Sequence, residues 1–156
     1  MADLALKLAL SPLLLAQAMH TRWRLPKLPE AAGSRQGVVT ADGAPDDAQL
    51  GLMIIGDSLA AGVGAGPQDD ALAGRRRQAL ARRLGLVVRW PVCASSGVTN
   101  VRAAGLLVDA MLADVAVVVT GVNDGVGRVR PATALTARAA LVAHLRQRTV
   151  ACVLSC

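Results

Sequence analysis

From residue 50 onward the chain alternates apolar runs with amphipathic stretches. LGLMII (50–55) is a continuous apolar run closed by Gly56, the pattern of a strand buried on both faces. QDDALAGRRRQALARRLG (68–85) reads as a helix, with acids in its first turn, Leu72, Leu80 and Leu84 as its apolar stripe, and Gly85 as its stop. LVVRW (86–90) predicts a second strand. VTNVRAAGLLVDAML (98–112) predicts a second helix, with Thr99 as its cap. VAVVVT (115–120) is an unbroken β-branched strand, and RPATALTARAALVAHLRQR (130–148) opens a third helix on Pro131. TVACVL (149–154) supplies a fourth strand. Such alternation predicts parallel βαβ units, hence an α/β sheet with helices on both faces. The expected order of these four strands is 2-1-3-4.

Upstream the pattern changes. Residues 26–49, rich in Pro, Gly, Ala and Asp, lack sustained apolar periodicity and predict a surface linker. The domain is then expected over 50–156, and an apolar helix over 1–25. That helix, broken by Lys7, Ser11, Pro12 and Gln17, is too short and interrupted for a membrane span. Its first reading is a helix packed on its own domain. The second is a membrane-surface anchor with Trp23 at headgroup level. The third is a cleaved leader, suggested by Ala16-Gln17-Ala18. Arg22, Arg24 and Lys27 favour keeping that flank inside, so the expected location is the cytoplasm or the inner membrane face.

Composition narrows the field. Of 156 residues 53% are hydrophobic and 18% charged, which excludes a disordered chain. Tyr and Phe are absent and Trp23 and Trp90 are the only aromatics, so the core rests on aliphatic residues. The formal net charge of +6 would suit an anionic partner. Its densest source, Arg75 to Arg83, reads instead as a solvated helix face: Arg75 and Arg82 oppose the leucine stripe and the other arginines snorkel at its edges. No nucleic-acid partner is expected. Cys93, Cys152 and Cys156 form no CxxC pair and no histidine stands at ligand spacing, so neither metal nor disulfide framework is expected, and a reducing compartment fits better.

In parallel sheets, chemistry gathers at the carboxyl ends of the strands. Three polar motifs fall there: GDS after the first strand, ASSGVT (94–99) after the second, TGVND (120–124) after the third. GVGAGP (62–67) places Pro67 where a dinucleotide loop needs glycine, and no Gly-Lys-Ser/Thr exists for a P-loop. Taken singly, Ser58 is a helix cap or a nucleophile, Gly97 a turn glycine or an amide donor, and Asn123 an Asx-turn residue or an amide donor.

GDSLAAGVG, SSGVT and TGVND, in that order, resemble the first three blocks of the SGNH hydrolases, the GDSL esterase/lipase superfamily. The likeness covers roughly 52–124, with helical support to about 148. It implies a three-layer α/β/α, flavodoxin-like fold and a cofactor-free serine ester hydrolase acting on small acyl or acetyl esters through an acyl-serine. By resemblance Ser58 is the nucleophile, Gly97 and Asn123 furnish the oxyanion hole, and Asp57 orders the serine turn.

One departure is plain. The family's acid and base stand in a later Asp-x-x-His block, and this sequence contains none. His20 precedes the domain, His144 lies in the third helix, and Asp124 adjoins the oxyanion Asn. The expectation is a chain truncated before that block and incomplete at the sheet's C-terminal edge, its TVACVLSC tail marking an early or frame-shifted end. The alternative function is a non-catalytic remnant binding acyl or carboxylate ligands, with or without membrane-surface association.

Overall fold

The computed structural model describes residues 2–24, 26–107 and 113–155. Its elements are α1 (Ala2–Arg24), β1 (Gln36–Thr40), β2 (Gln49–Gly56), α2 (Leu72–Leu84), β3 (Val87–Ala94), α3 (Asn100–Ala103) running into a 3₁₀ turn (Ala104–Leu107), β4 (Ala113–Val119), α4 (Val122–Val126), α5 (Pro131–Arg146) and β5 (Thr149–Ser155). The five strands form one sheet in the order β1-β3-β2-β4-β5. The four anticipated strands are mutually parallel and stand in the expected 2-1-3-4 order, as β3-β2-β4-β5.

Strand β2 lies at the centre and explains why its sequence is a pure apolar run. Leu52 and Ile54 face α2 with Ala73, Ala81, Val88 and Trp90, whereas Met53 and Ile55 face α3 and α5 with Ala103, Leu141 and Leu145. The pleat alternates side chains between two covered faces, so every position is apolar. This is the three-layer α/β/α arrangement.

The stretch 26–49 is not a linker crossing the surface. It carries β1, an antiparallel edge strand that pairs Gln36 with Pro91 through Thr40 with Val87. Ala31 and Ala41 are buried, and the segment docks on the loop after β2 through Ala31 N to Ala61 O (3.2 Å) and Gln68 N to Ala32 O (2.7 Å). An edge strand exposed at most of its positions leaves no hydrophobic period to read. Strand β3 likewise runs past the expected end at Trp90, keeping one register with β2 on both sides of Pro91 (Gly51 with Arg89, Ile54 with Val92).

Helix α2 starts later than expected, at Leu72, so Asp69 and Asp70 precede it instead of filling its first turn. Gly85 ends it in the left-handed region (φ 65°), its amide donating to the Ala81 carbonyl. Its buried face is Ala73, Gly74, Arg77 and Ala81; Leu84 is exposed. A Cβ on Gly74 would stand 2.3 Å from the carbonyl oxygens of Gln68 and Asp69, so close packing on that loop selects small residues over leucines. Arg77 does not snorkel at the edge. It is buried, stacked 3.6 Å from the Trp90 ring centroid and ion-paired with Asp69. Of the helix expected over 98–112, Asn100–Ala103 is α-helical and Ala104–Leu107 a 3₁₀ turn, and 108–112 lie outside the described residues.

Helix α1 does not pack on the domain. Leu10, Leu13, Leu14, Leu15 and Met19 are exposed, and Trp23 is 86% exposed. Helix α2 covers one sheet face over β3 and β1, and α3 with α5 cover the other, while Val115, Val117 and Val119 of β4 stay only partly buried; no described side chain of α1 is buried against either face. Among the described residues no helix is long and apolar enough to cross a membrane.

Candidate active site

Three parallel strands end at one level. Gly56 pairs with Ala94 of β3 and Val119 of β4, so the loops carrying Ser58, Gly97 and Asn123 leave the carboxyl edge side by side, with strand axes about 4.8 Å apart. Hydrogen bonds lace the loops where they leave. The Asp57 amide donates to the Val119 carbonyl (3.1 Å), and the Ser95 amide donates to the Gly56 carbonyl (3.2 Å).

The Ser58 turn is tightly determined. A Cβ on Gly56 would lie 2.4 Å from the Val119 oxygen and 2.6 Å from the Ala60 Cβ, so only glycine lets the chain fold back here. Asp57 is buried, its Oδ1 accepting from the Leu59 amide (3.1 Å) and its carbonyl from the Ala61 amide (2.9 Å). This Asx turn holds Ser58 half-buried at the mouth, its carbonyl accepting from the Val63 amide (2.9 Å). Residues 58–64 form irregular turns in place of a helix start.

Gly97 occupies the third position of a β-turn closed by Val98 N to Ser95 O (3.3 Å), with φ of 81°, a conformation that favours glycine. Its missing Cβ would meet nothing within 4 Å, so the backbone angle, and not space, requires glycine. Asn123 sits in α4. Its Nδ2 donates to the Val98 carbonyl (3.0 Å), which ties the Asn turn to the Gly97 loop and leaves the second amide hydrogen uncommitted by this bond.

Beneath them lies a buried polar network that the sequence did not single out. The Asp124 carboxylate, 5% exposed, accepts from the Asn100 amide (3.2 and 3.3 Å to its two oxygens) and from Asn100 Nδ2 (2.9 Å). Thr120 Oγ1 donates to Asn100 Oδ1 (2.6 Å). Thr99 holds the expected N-cap position without a side-chain bond; Asp124, from α4, accepts from the first amide of α3 in its place. An anion at a helix start is favourably placed, and this one fixes the Gly97 loop to the Asn123 turn.

A second support comes from the stretch before β1. Glu30 Oε1 accepts from the Ser96 amide (2.7 Å), Glu30 pairs with Arg35, and Arg35 Nη1 donates to the Ala94 carbonyl (2.7 Å). Hydrogen bonding from Ser96, then Arg35, holds the Glu30 carboxyl below the usual range. No local signal marks Glu30, which lies 66 residues from Ser96.

His20 is exposed on α1, and His144 does not belong to this edge. His144 lies in the last turn of α5, before the chain enters β5 at Thr149 opposite Ala113, the first residue of β4. Ser58 follows Gly56, which is level with Val119 at the far end of β4. Six residue steps along β4 separate those levels, about 20 Å. Among the described residues no group of three or more His, Cys, Asp or Glu could hold a metal ion.

The comparisons agree with this geometry. The GDSL-like Lipase/Acylhydrolase family model matches residues 54–156. The GDSL-like esterase Rv1075c of Mycobacterium tuberculosis (strain ATCC 25618 / H37Rv) is 33% identical over 124 residues, covering 72% of this chain and 39% of that protein. The crystal structure of TesA superimposes with a TM-score of 0.59 at 25% identity over 67% of this chain and 58% of its own. AlinE4, an SGNH-hydrolase family esterase, gives 0.60 at 24% identity over 68% and 58%. The chain thus spans about two fifths of the curated relative and little more than half of the solved structures. With the family model covering most of the chain, and GDS, SSGVT and TGVND each closing a parallel strand at one edge, the chain belongs to the GDSL-like lipase/acylhydrolase family.

Proposed function

We propose that the carboxyl edge of this sheet is the acyl-transfer site of a serine ester hydrolase. Ser58 Oγ attacks the ester carbonyl carbon, and the carbonyl electron pair moves onto oxygen. The Gly97 amide and the second Asn123 Nδ2 hydrogen stabilise that oxyanion, each such donor being worth about 3–4 kcal/mol in the transition state. Collapse expels the alcohol and leaves an acyl-serine, which water hydrolyses. The observation that carries this reading is the 3.0 Å bond from Asn123 Nδ2 to the Val98 carbonyl, which draws the amide side chain to the residue next to Gly97.

The Ser58 proton needs an acceptor, and a bare serine hydroxyl is a weak nucleophile at neutral pH. His144, at the opposite edge of the sheet, does not serve. The base would come from an Asp-x-x-His block of the kind the family carries, outside these 156 residues. Three proteins test the proposal: the 156-residue chain, the chain extended by a further strand and an Asp-x-x-His loop, and the extended chain with Ser58→Ala. Aryl-ester turnover should be near background in the first, restored in the second and abolished in the third, a span of about 10⁴–10⁶. Turnover by the unextended chain at about 1–10³ s⁻¹, removed by Ser58→Ala, would contradict it.

A second reading, a non-catalytic acyl or carboxylate binder, draws on the same donors standing remote from His144. It predicts fatty-carboxylate binding that Asn123→Ala weakens, with no turnover in any of the three proteins.

A further inference from the structure

From Leu10 to Trp23 the apolar side chains of α1 are left uncovered by the fold on both sides of the helix. At 100° per residue, Leu10, Leu13 and Leu14 point to one side of the helix, and Leu15, Met19 and Trp23 to the opposite side. All six side chains are exposed. A helix that is apolar on every side demands an environment that is apolar on every side. The parent domain does not supply it, since these six side chains stay exposed with the domain folded. A second copy of α1 packed alongside would cover one stripe and leave the other in water. Lipid acyl chains cover both.

The charges choose the kind of lipid. The apolar stretch is bracketed by Lys7 on one side and by Arg22, Arg24 and Lys27 on the other, against a single acid, Asp3. Between Lys7 and Arg22 the helix rises only about 22 Å, short of a hydrocarbon core of about 30 Å. Both basic ends therefore stay in one headgroup layer while the middle sinks among the chains. Trp23, amphipathic and exposed, stands beside the basic end, where such rings gather at membrane interfaces.

We propose that α1 is a monotopic anchor that lies in one leaflet of an anionic phospholipid bilayer and holds the α/β domain at its surface. The proposal is independent of the ester-hydrolase reading, since it uses no residue of the carboxyl edge.

The full 156-residue chain is tested by flotation on phosphatidylcholine vesicles with and without phosphatidylglycerol. It should float with the anionic vesicles and do so less as salt rises, each basic residue contributing about fivefold in affinity. Leu13→Asp with Leu15→Asp charges both sides of the helix and should weaken binding by more than about tenfold. The domain's melting transition should not move, because α1 is not in its core. Brominated lipid should quench Trp23 and spare Trp90, which lies buried under Arg77. Failure to float on anionic vesicles, unchanged flotation of the double variant, or self-association of the chain without vesicle binding would each overturn the proposal.

Discussion

Asp124→Asn keeps the shape of the buried side chain and removes its charge, so it isolates what that carboxylate does. In the native chain both of its oxygens accept, from the Asn100 amide and from Asn100 Nδ2. An asparagine offers one oxygen and one NH₂. An amide oxygen standing where Oδ2 stands keeps both Asn100 donors, but as neutral bonds, and the NH₂ in the place of Oδ1 then faces the Asn100 amide. Hydrogen bonds to charged groups contribute about 1.5–3 kcal/mol, so the expected destabilisation is about 2–3 kcal/mol. With a urea m-value of about 2 kcal/mol/M for a chain of this size, the unfolding midpoint should fall by about 1 M with the slope unchanged. Asn100→Ala removes the Nδ2 contact from the other side and keeps the backbone amide, so the double variant should lose less than the sum of the two, by at least about 0.5 kcal/mol. A midpoint within about 0.2 M of the parent, or strict additivity, would show that the network does not join the two loops.

Other outcomes follow from the same geometry. Gly56→Ala drives a Cβ into the Val119 carbonyl and should cost about 1–3 kcal/mol, read as a fall in Tm of about 2–4 °C per kcal/mol; an unchanged Tm would mean the turn can shift freely. Glu30 binds its proton less readily in the folded chain than at its ordinary value of 4.5, because Ser96 and Arg35 favour the carboxylate. Its contribution to stability is thus present above that value and lost as pH falls through the lower folded one, and Glu30→Gln should flatten the acid arm of stability between about pH 5 and pH 3. Burial pushes the Cys93 thiol up, so mass-resolved alkylation at neutral pH should modify Cys93 more slowly in the folded chain than after unfolding.

The elements legible in the sequence are those whose burial writes a pattern. Strands β2 and β4 lie inside the sheet and read as apolar runs; Gly85 and Pro131 mark helix ends because backbone geometry demands them. β1 was hidden because an exposed edge strand needs no apolar period, and the end of β3 because Pro91 imitates a terminator. On α2 the exposed Leu84 and the buried Arg77 reverse the usual meaning of their residue types, since Trp90 and Asp69 accommodate the guanidinium and Gly74 brings the helix onto the loop. At the carboxyl edge, GDS, SSGVT and TGVND were visible because glycine and asparagine are chemically restricted choices. Their supports were not: Asp124 reaches back 24 residues to Asn100, and Glu30 forward 66 to Ser96, distances over which composition carries no trace.

The proposed acyl transfer requires Ser58, Gly97 and Asn123 to meet at one reacting atom. A crystal structure of the chain, extended by an Asp-x-x-His segment, after reaction with an alkyl phosphonate tests this. Phosphorus should stand on Ser58 Oγ, with one phosphonyl oxygen about 2.7–3.1 Å from both the Gly97 nitrogen and Asn123 Nδ2. A structure with Ser58 Oγ more than about 10 Å from both donors, or with the phosphonate on another residue, would contradict it.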